Sequence, residues 1–361
     1  MFRLSNILLF SDKNIYPGVI IMGLRKIQRT RGGTFFVTLP KEWALKNGIT
    51  RGSVVYTSIT SNGRLIIDPR YDLKLRPLTI TIKPSPYLNR EIIGKYLLGY
   101  DMIRISAKDR IAIEQREIVK ETVTRLIGLE IIEENHANII IQCLLQPDAL
   151  SPEKVLRREY LISSGMLRDS MTAILQGDTQ LARSVIARDN EVDRLYFLVV
   201  RILRTIIQNP RLSEKLEVHP IDCLDYRLTA SLVESVGDQA SEIAEHSIKL
   251  EGAKLPKNVI SAIQSLHERV NEAYQDAVAA FFSHSISIAE SVRDKREEVE
   301  RLCESAESAC TKLTSEAYQR VISVISLINR VYDHSVDISD LTIPRIGKSL
   351  TRDYREQSEL L

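Results

Sequence analysis

The sequence predicts a multidomain chain: a small β module, a small α+β unit, and an all-α body made of two three-helix bundles. Three observations lead there. Residues 23–76 hold 11 Lys/Arg against 3 Asp/Glu, a net of +8, whereas the remainder holds 38 against 44, a net of −6. From Ser151 onward, apolar residues recur at helical spacing over long segments. Within those helical segments a pair of motifs returns at fixed offsets, which marks an internal duplication. A chain of 361 residues is long enough for two or three cores, and its 27% charged and 44% hydrophobic residues are ordinary for a globular protein.

Residues 1–22 read as an extension, with Met22 a candidate true start directly before the basic module. In residues 23–76, Thr34–Leu39 is β-branched and aromatic, as a strand requires. Pro40 then stops the strand and suits the start of a two-turn helix over Lys41–Asn47, which Gly48 ends. Strands at Ser53–Ile59 and Arg64–Ile67 flank Ser61-Asn62-Gly63, whose Asn-Gly pair signals a hairpin. So small a module buries little surface alone, so a second copy is expected to complete its core.

Residues 77–147 alternate between the two periods. Strands are expected at Leu78–Ile82, Met102–Ile105, Glu130–Glu133 and Ile139–Leu144, with helices at Leu88–Leu98 and Ile111–Ile127. Gly94 and Gly99 lack the companion residues of a phosphate-binding loop.

Residues 151–342 resolve into six amphipathic helices, at about 152–176, 178–208, 222–250, 256–283, 286–312 and 314–341. Glu191-Val-Asp-Arg-Leu195 returns 107 residues later as Glu298-Val-Glu-Arg-Leu302. A second pair, Glu234-Ser-Val-Gly-Asp238-Gln-Ala-Ser-Glu242 and Asn329-Arg-Val-Tyr-Asp333-His-Ser-Val-Asp337, is separated by 95 residues. The difference of 12 matches the polar connection 209–220, which only the first half contains. Residues 343–361 read as a charged tail.

The second motif pair places polar groups at i, i+4 and i+8, one stripe of a helix. The opposite stripes are apolar: Leu232, Val236, Ala240 and Ile243 in one, Val324, Leu327, Val331 and Ile338 in the other. Asp189 and Asp193 form another acid pair of this spacing. Clustered carboxylates repel unless a cation neutralises them, and oxygen-only ligation suits Mg²⁺, Ca²⁺, Mn²⁺ or iron better than zinc. The competing reading is surface ion pairing with Arg188, Arg194 and Arg330. His246 and His334 read as structural histidines.

Several classes are excluded. The four cysteines contain no CxxC pair, and Cys303 and Cys310 fit buried thiols on one helix face. No apolar run approaches a membrane span, so membrane insertion is not expected and the reading is cytoplasmic. A ferritin-like di-iron oxidase needs Glu-x-x-His on two helices, and the one such spacing, Glu133-Glu-Asn-His136, falls in an expected turn. Neither a Gly-x-Ser-x-Gly elbow nor a His-Glu-x-x-His helix is present, and the chain is read as not an enzyme.

Val37-Thr-Leu-Pro-Lys-Glu-Trp-Ala44, followed by Asn47-Gly-Ile-Thr-Arg-Gly-Ser-Val-Val55, resembles the SpoVT/AbrB swapped-hairpin DNA-binding family. That resemblance implies an N-terminal swapped-hairpin β domain and a homodimer that lays basic loops along double-stranded DNA. Arg25, Lys26, Arg29, Arg31, Lys41 and Lys46 are then the candidate DNA contacts, neutralising phosphates. A basic surface on a pure dimerisation module, as in antitoxin relatives, is the other reading.

Arg188-Asp-Asn-Glu-Val-Asp-Arg-Leu-Tyr196, Glu234-Ser-Val-Gly-Asp-Gln-Ala-Ser-Glu-Ile-Ala-Glu245 and Asn329-Arg-Val-Tyr-Asp-His-Ser-Val-Asp-Ile338 resemble PhoU, the phosphate-signalling family. The resemblance implies two three-helix bundles and a Glu/Asp-xxx-Asp signature that holds iron, zinc or another divalent metal. Glu234 and Asp238 fit that signature. In the second repeat Asn329 replaces the first acid, Asp333 is kept and Asp337 follows, while Arg296 and Glu300 stand where the first repeat has Asp189 and Asp193. The candidate metal ligands are therefore Asp189, Asp193, Glu234, Asp238, Asp333 and Asp337. Together the two resemblances imply a DNA-binding transcriptional regulator of phosphate uptake or homeostasis. The alternative is an accessory protein acting on a phosphate transporter ATPase or a sensor protein without binding DNA.

Overall fold

The computed structural model describes residues 24–59, 63–69, 77–146, 149–252 and 255–343. The expected extension 1–22, Ser61 and Asn62 of the expected hairpin turn, the boundary residues Arg76 and Pro147, and the tail from position 344 lie outside the described residues. The chain divides into two compact units, Met1–Arg76 and Pro77–Leu361.

In the first unit, β1 (Gln28–Arg29) pairs antiparallel with β2 (Phe35–Phe36), and β3 (Tyr56–Ile59) with β4 (Leu65–Asp68). Between the pairs lies α1 (Lys41–Lys46), which Pro40 starts and Gly48, at φ +66°, ends. Strand pairing at the expected Thr34–Leu39 reaches only Phe35 and Phe36. None of the unit's described residues is buried, and Phe35, Leu45, Ile59 and Leu65 are all exposed. A set of large apolar side chains without a core is surface that a partner would cover.

The second unit begins with a four-stranded sheet in the order β5-β6-β8-β7. Its strands are β5 (Thr79–Ile82), β6 (Met102–Ser106), β7 (Leu129–Glu134) and β8 (Asn138–Cys143). β5 and β6 run parallel, and the other pairs antiparallel. The parallel pair needs a crossover, which α2 (Leu88–Leu97) supplies, and α3 (Ile113–Thr124) leads into β7. Leu88, Ile92 and Tyr96 of α2 and Val119 of α3 share a core with Ile103, Ile105, Ile139 and Ile141 of the sheet.

The helical body follows. Its first bundle is α4 (Pro152–Gln176), α5 (Thr179–Gln208) and α7 (Asp222–Lys249). The second bundle comprises α8 (Lys257–Ser283), α9 (Ile286–Asp294), α10 (Arg296–Ala309) and α11 (Ser315–Asp340). One hydrophobic core runs through both bundles. Local chemistry sets the helix ends: Gly177 closes α4 in the left-handed region, and the Asp178 side chain caps α5 by accepting from Leu181 N at 2.9 Å.

Two details differ from the sequence reading. The polar connection contains a short helix, α6 (Pro210–Leu216), begun by Asn209, which caps Leu212 N, and by Pro210 in the first turn. The expected fifth helix is broken at Lys295 into α9 and α10. A break releases carbonyls from their helical donors, and the buried Tyr332 hydroxyl compensates by donating to Val292 O at 2.9 Å. Lys295 itself reaches across to Asp276 at 2.5 Å.

The sheet unit and the helical body meet along α5. Arg201, only 4% exposed, donates to the carbonyls of Tyr96 at 2.6 Å and Tyr100 at 3.0 Å. It also lies 3.3 Å from the Asp101 carboxylate and 4.9 Å from the centre of the Tyr96 ring. Carbonyls at the end of α2 carry partial negative charge, so a guanidinium is the fitting plug. One turn earlier, Phe197 packs against the core of the sheet unit.

Candidate carboxylate site

α7 presents Glu234 and Asp238 one turn apart, toward the stripe of α5 that carries Asp189 and Asp193. Asp193, Glu234 and Asp238 each offer a carboxylate oxygen, and the three lie within 4.8 Å of one another. The helices approach closely because Gly237 has no side chain; a Cβ there would sit 3.2 Å from Val192 Cγ1. Gly237→Leu should therefore wedge α5 from α7, at a cost of about 1–3 kcal/mol. Thermal unfolding checks this, and a leucine variant as stable as the wild type would refute the close approach.

From α4 comes a fifth carboxylate, Glu159, which the sequence reading missed. It is fully buried, and neither of its oxygens has a hydrogen-bond partner. Burial holds its carboxyl well above the usual range, and the neighbouring charges of Glu234 and Asp193 push it further, against Arg227. A sequence signal did exist. Glu159 falls within the buried stripe of Val155, Leu156, Ser163 and Met166, where an acid has no solvent to face.

The same two causes, burial first and neighbouring carboxylates second, act on Glu234, Asp189 and Asp238. They push Glu234 up to about 7, with Asp238, Asp193 and Asp189 contributing. Asp189 is pushed up to about 6, through burial and then Asp238 and Asp193. Asp238 is raised as well, by burial and by Asp193 and Glu242. Asp193 is raised by burial but opposed by Arg125, whose Nη2 lies 3.6 Å from its Oδ2. Asp189 belongs to this electrostatic group but not to the tight trio.

The duplicated position in the second bundle is chemically different. At the offsets read from the sequence, Glu159, Asp189 and Glu234 correspond to Leu266, Arg296 and Asn329. Arg296 Nη1 lies 3.8 Å from Asp333 and 3.9 Å from Glu300, so a built-in guanidinium stands where the first bundle has a carboxylate. Asp337 lies 3.9 Å from His334 Nδ1. Among the described residues, neither Asp333 nor Asp337 joins a group of three ligands. The structure thus brings Asp193, Glu234 and Asp238 together, with Asp189 beside them, and leaves the second-bundle pair apart. His246 and His334 are both held below the usual histidine range, chiefly by burial.

Five oxygen-only carboxylate groups, one of them buried without a partner, fit a hard divalent cation or iron better than zinc. In the first unit, Arg25, Lys26, Arg29, Arg31, Lys41 and Lys46 are all exposed. Arg29 stacks on the Phe35 ring at 5.4 Å, which holds one guanidinium in place beside the turn.

Comparison with known proteins places the helical body. The PhoU domain family model matches residues 156–247 and 263–342, one stretch for each bundle. The helical body belongs to the PhoU family. A second family model, the bacterial antitoxin domain described as antidote-toxin recognition MazE, matches residues 28–73. Among curated relatives, the phosphate-specific transport system accessory protein PhoU homolog of Pseudomonas putida is 26% identical over 208 residues, covering 52% of this chain and 76% of the relative. Its counterpart from Pseudomonas aeruginosa is also 26% identical over 208 residues, covering 52% of this chain and 80% of the relative. The crystal structure of PhoU from Pseudomonas aeruginosa covers 54% of this chain and 95% of its own, at 19% identity and a TM-score of 0.48. The PhoU structure from Streptococcus pneumoniae covers 55% and 95%, at 16% identity and a TM-score of 0.48. The PhoU body here thus follows a MazE-like module and a sheet unit on the same chain. Among the described residues, no helix is long and apolar enough to cross a membrane.

Proposed function

We propose that this chain is a dimeric, DNA-binding transcriptional regulator of phosphate uptake or homeostasis, working in the cytoplasm and without catalysis. The observation that carries the reading is the fusion itself: an exposed, basic, core-less β module ahead of a PhoU body. Two copies of the module cover each other's apolar faces, and their arginines and lysines neutralise phosphates along a duplex. The PhoU body supplies the phosphate-status signal, and its first bundle holds a divalent cation on Asp193, Glu234 and Asp238, with Glu159 and Asp189 beside them.

The test is binding to DNA from upstream of phosphate-transport genes at low salt; failure to bind would overturn the regulator reading. Replacing Arg29 and Arg31 by alanine should weaken that binding about tenfold or more while dimers persist. It should also lower the slope of log affinity against log salt by about 2 per protomer. Unchanged affinity with intact dimers would favour a second reading. That reading is an accessory protein acting on a phosphate transporter or sensor, which the descriptions of the Pseudomonas relatives support.

A further inference from the structure

Two guanidiniums act on the carboxylate site: Arg227, from α7 of the same bundle, and Arg125, which does not come from the PhoU body. Arg125 closes the C-terminal end of α3 in the sheet unit, and its guanidinium sits 3.6 Å from Asp193. Asp193, Phe197 and Arg201 occupy successive turns of one stripe of α5. The sheet unit is therefore held by that stripe at three points, and the points differ in strength. Arg201 is a buried anchor with several acceptors, and Phe197 is packed in the sheet-unit core. The Arg125–Asp193 pair is half-exposed, at 52% and 27%, and ion pairs of that kind are weak. It is the contact that can open while the other two hold.

The second bundle supplies an independent comparison. There Glu300 and Asp333, the counterparts of Asp193 and Asp238, are met by Arg296, a guanidinium from the same bundle that remains with it. In the first bundle the guanidinium paired with Asp193 belongs to the sheet unit and can leave. The fully buried Glu159, with no partner for either oxygen and within Coulombic reach of Asp193 and Glu234, marks this cluster as one that Arg125 and Arg227 do not satisfy.

We propose that Arg125 is a removable cation of the carboxylate site, so that a divalent cation bound at Asp193, Glu234 and Asp238 displaces it and frees the α3 end of the sheet unit from α5. Occupancy of the site is thereby passed to the unit that lies between the DNA-binding module and the PhoU body in the chain. This inference rests on the cluster being a cation site, as proposed above.

The experiment uses the full chain and Mn²⁺ alone as the probe. Mn²⁺ affinity is measured by calorimetry for the wild type, Arg125→Gln and Arg227→Gln, with amide hydrogen exchange followed across residues 113–128. Arg125→Gln should bind Mn²⁺ about tenfold more tightly than the wild type. In the wild type, Mn²⁺ should speed exchange at the α3 end, whereas in Arg125→Gln exchange there should be fast already and insensitive to Mn²⁺. Arg227→Gln removes a nearby charge that does not bridge the units, so a purely long-range effect would raise affinity without altering the response of α3. Equal Mn²⁺ affinities for wild type and Arg125→Gln, or binding that leaves α3 exchange unchanged in the wild type, would overturn the displacement while leaving the cation site standing. If neither the wild type nor Arg125→Gln binds Mn²⁺, the cation site itself fails and the displacement fails with it.

Discussion

A chain carrying Glu234→Gln and Asp238→Asn is expected to melt at a higher temperature than the wild type in metal-free buffer at pH 7.5. Most core-facing substitutions destabilise; this one removes charges that the folded state holds close together. The shifts fix the sign. Glu234 ordinarily loses its proton near 4.5 but in the folded chain near 7, and Asp189 moves from 3.8 to about 6. The folded state therefore binds these protons more tightly than the unfolded state. Wild-type stability should fall as pH rises from about 4 to about 7 through these two groups, and Glu159, held well above the usual range, adds to the fall. The double amide variant should lose the share of that slope that Glu234 and Asp238 contribute, while Asp189 and Glu159, raised first by burial, keep most of theirs. Each kcal/mol regained corresponds to about 2–4 °C in a body of this size. Mn²⁺ at a hundred times its dissociation constant should stabilise the wild type by about 2.7 kcal/mol and leave the variant unmoved. A variant that melts below the wild type in chelator, or responds equally to Mn²⁺, would remove the carboxylate site from consideration.

The second large effect is expected at the joint between the sheet unit and the helices. Arg201→Met should cost about 2–4 kcal/mol, because it leaves the Tyr96 and Tyr100 carbonyls facing an apolar side chain. Arg201→Lys should recover only part of this, since one ammonium cannot span acceptors that a planar fork reaches together. Urea unfolding gives the magnitude. Limited proteolysis gives the location: cleavage between β8 and α4 should accelerate in the methionine variant, releasing the sheet unit from the body. A methionine variant that resists protease as the wild type does would mean that apolar contacts such as Phe197 suffice to hold the joint.

Local order was largely legible in the residues. Gly177, Asp178 and Asn209 end and begin helices by chemistry that acts within a few residues, and the observed limits of α4, α5, α7, α8 and α11 follow those signals closely. The break at Lys295 was not legible, because the hydroxyl that tolerates it belongs to Tyr332, 37 residues further on. Glu159 escaped notice for a related reason. In sequence it follows Arg157 and Arg158 and reads as part of a solvated charged run, and only the stripe it shares with Val155 and Ser163 shows that it points inward.

The sequence by itself determined the domains and their order. A basic β module, a sheet unit and a duplicated helical body are each written in periodicity, caps and charge balance, all properties of short windows of chain. The repeat offsets even located the connection that one half has and the other lacks. Tertiary structure decided which carboxylates meet. The stripes starting at Glu234 and Asn329 look alike along the chain, yet one faces Glu159, Asp189 and Asp193 while the other faces Cys303 and Arg296. Electrostatic energy depends on distance in space, and that distance is set by contacts such as Gly237 against Val192 and Arg125 against Asp193. These join residues from separate helices and separate units, so no window of sequence contains both members of either pair.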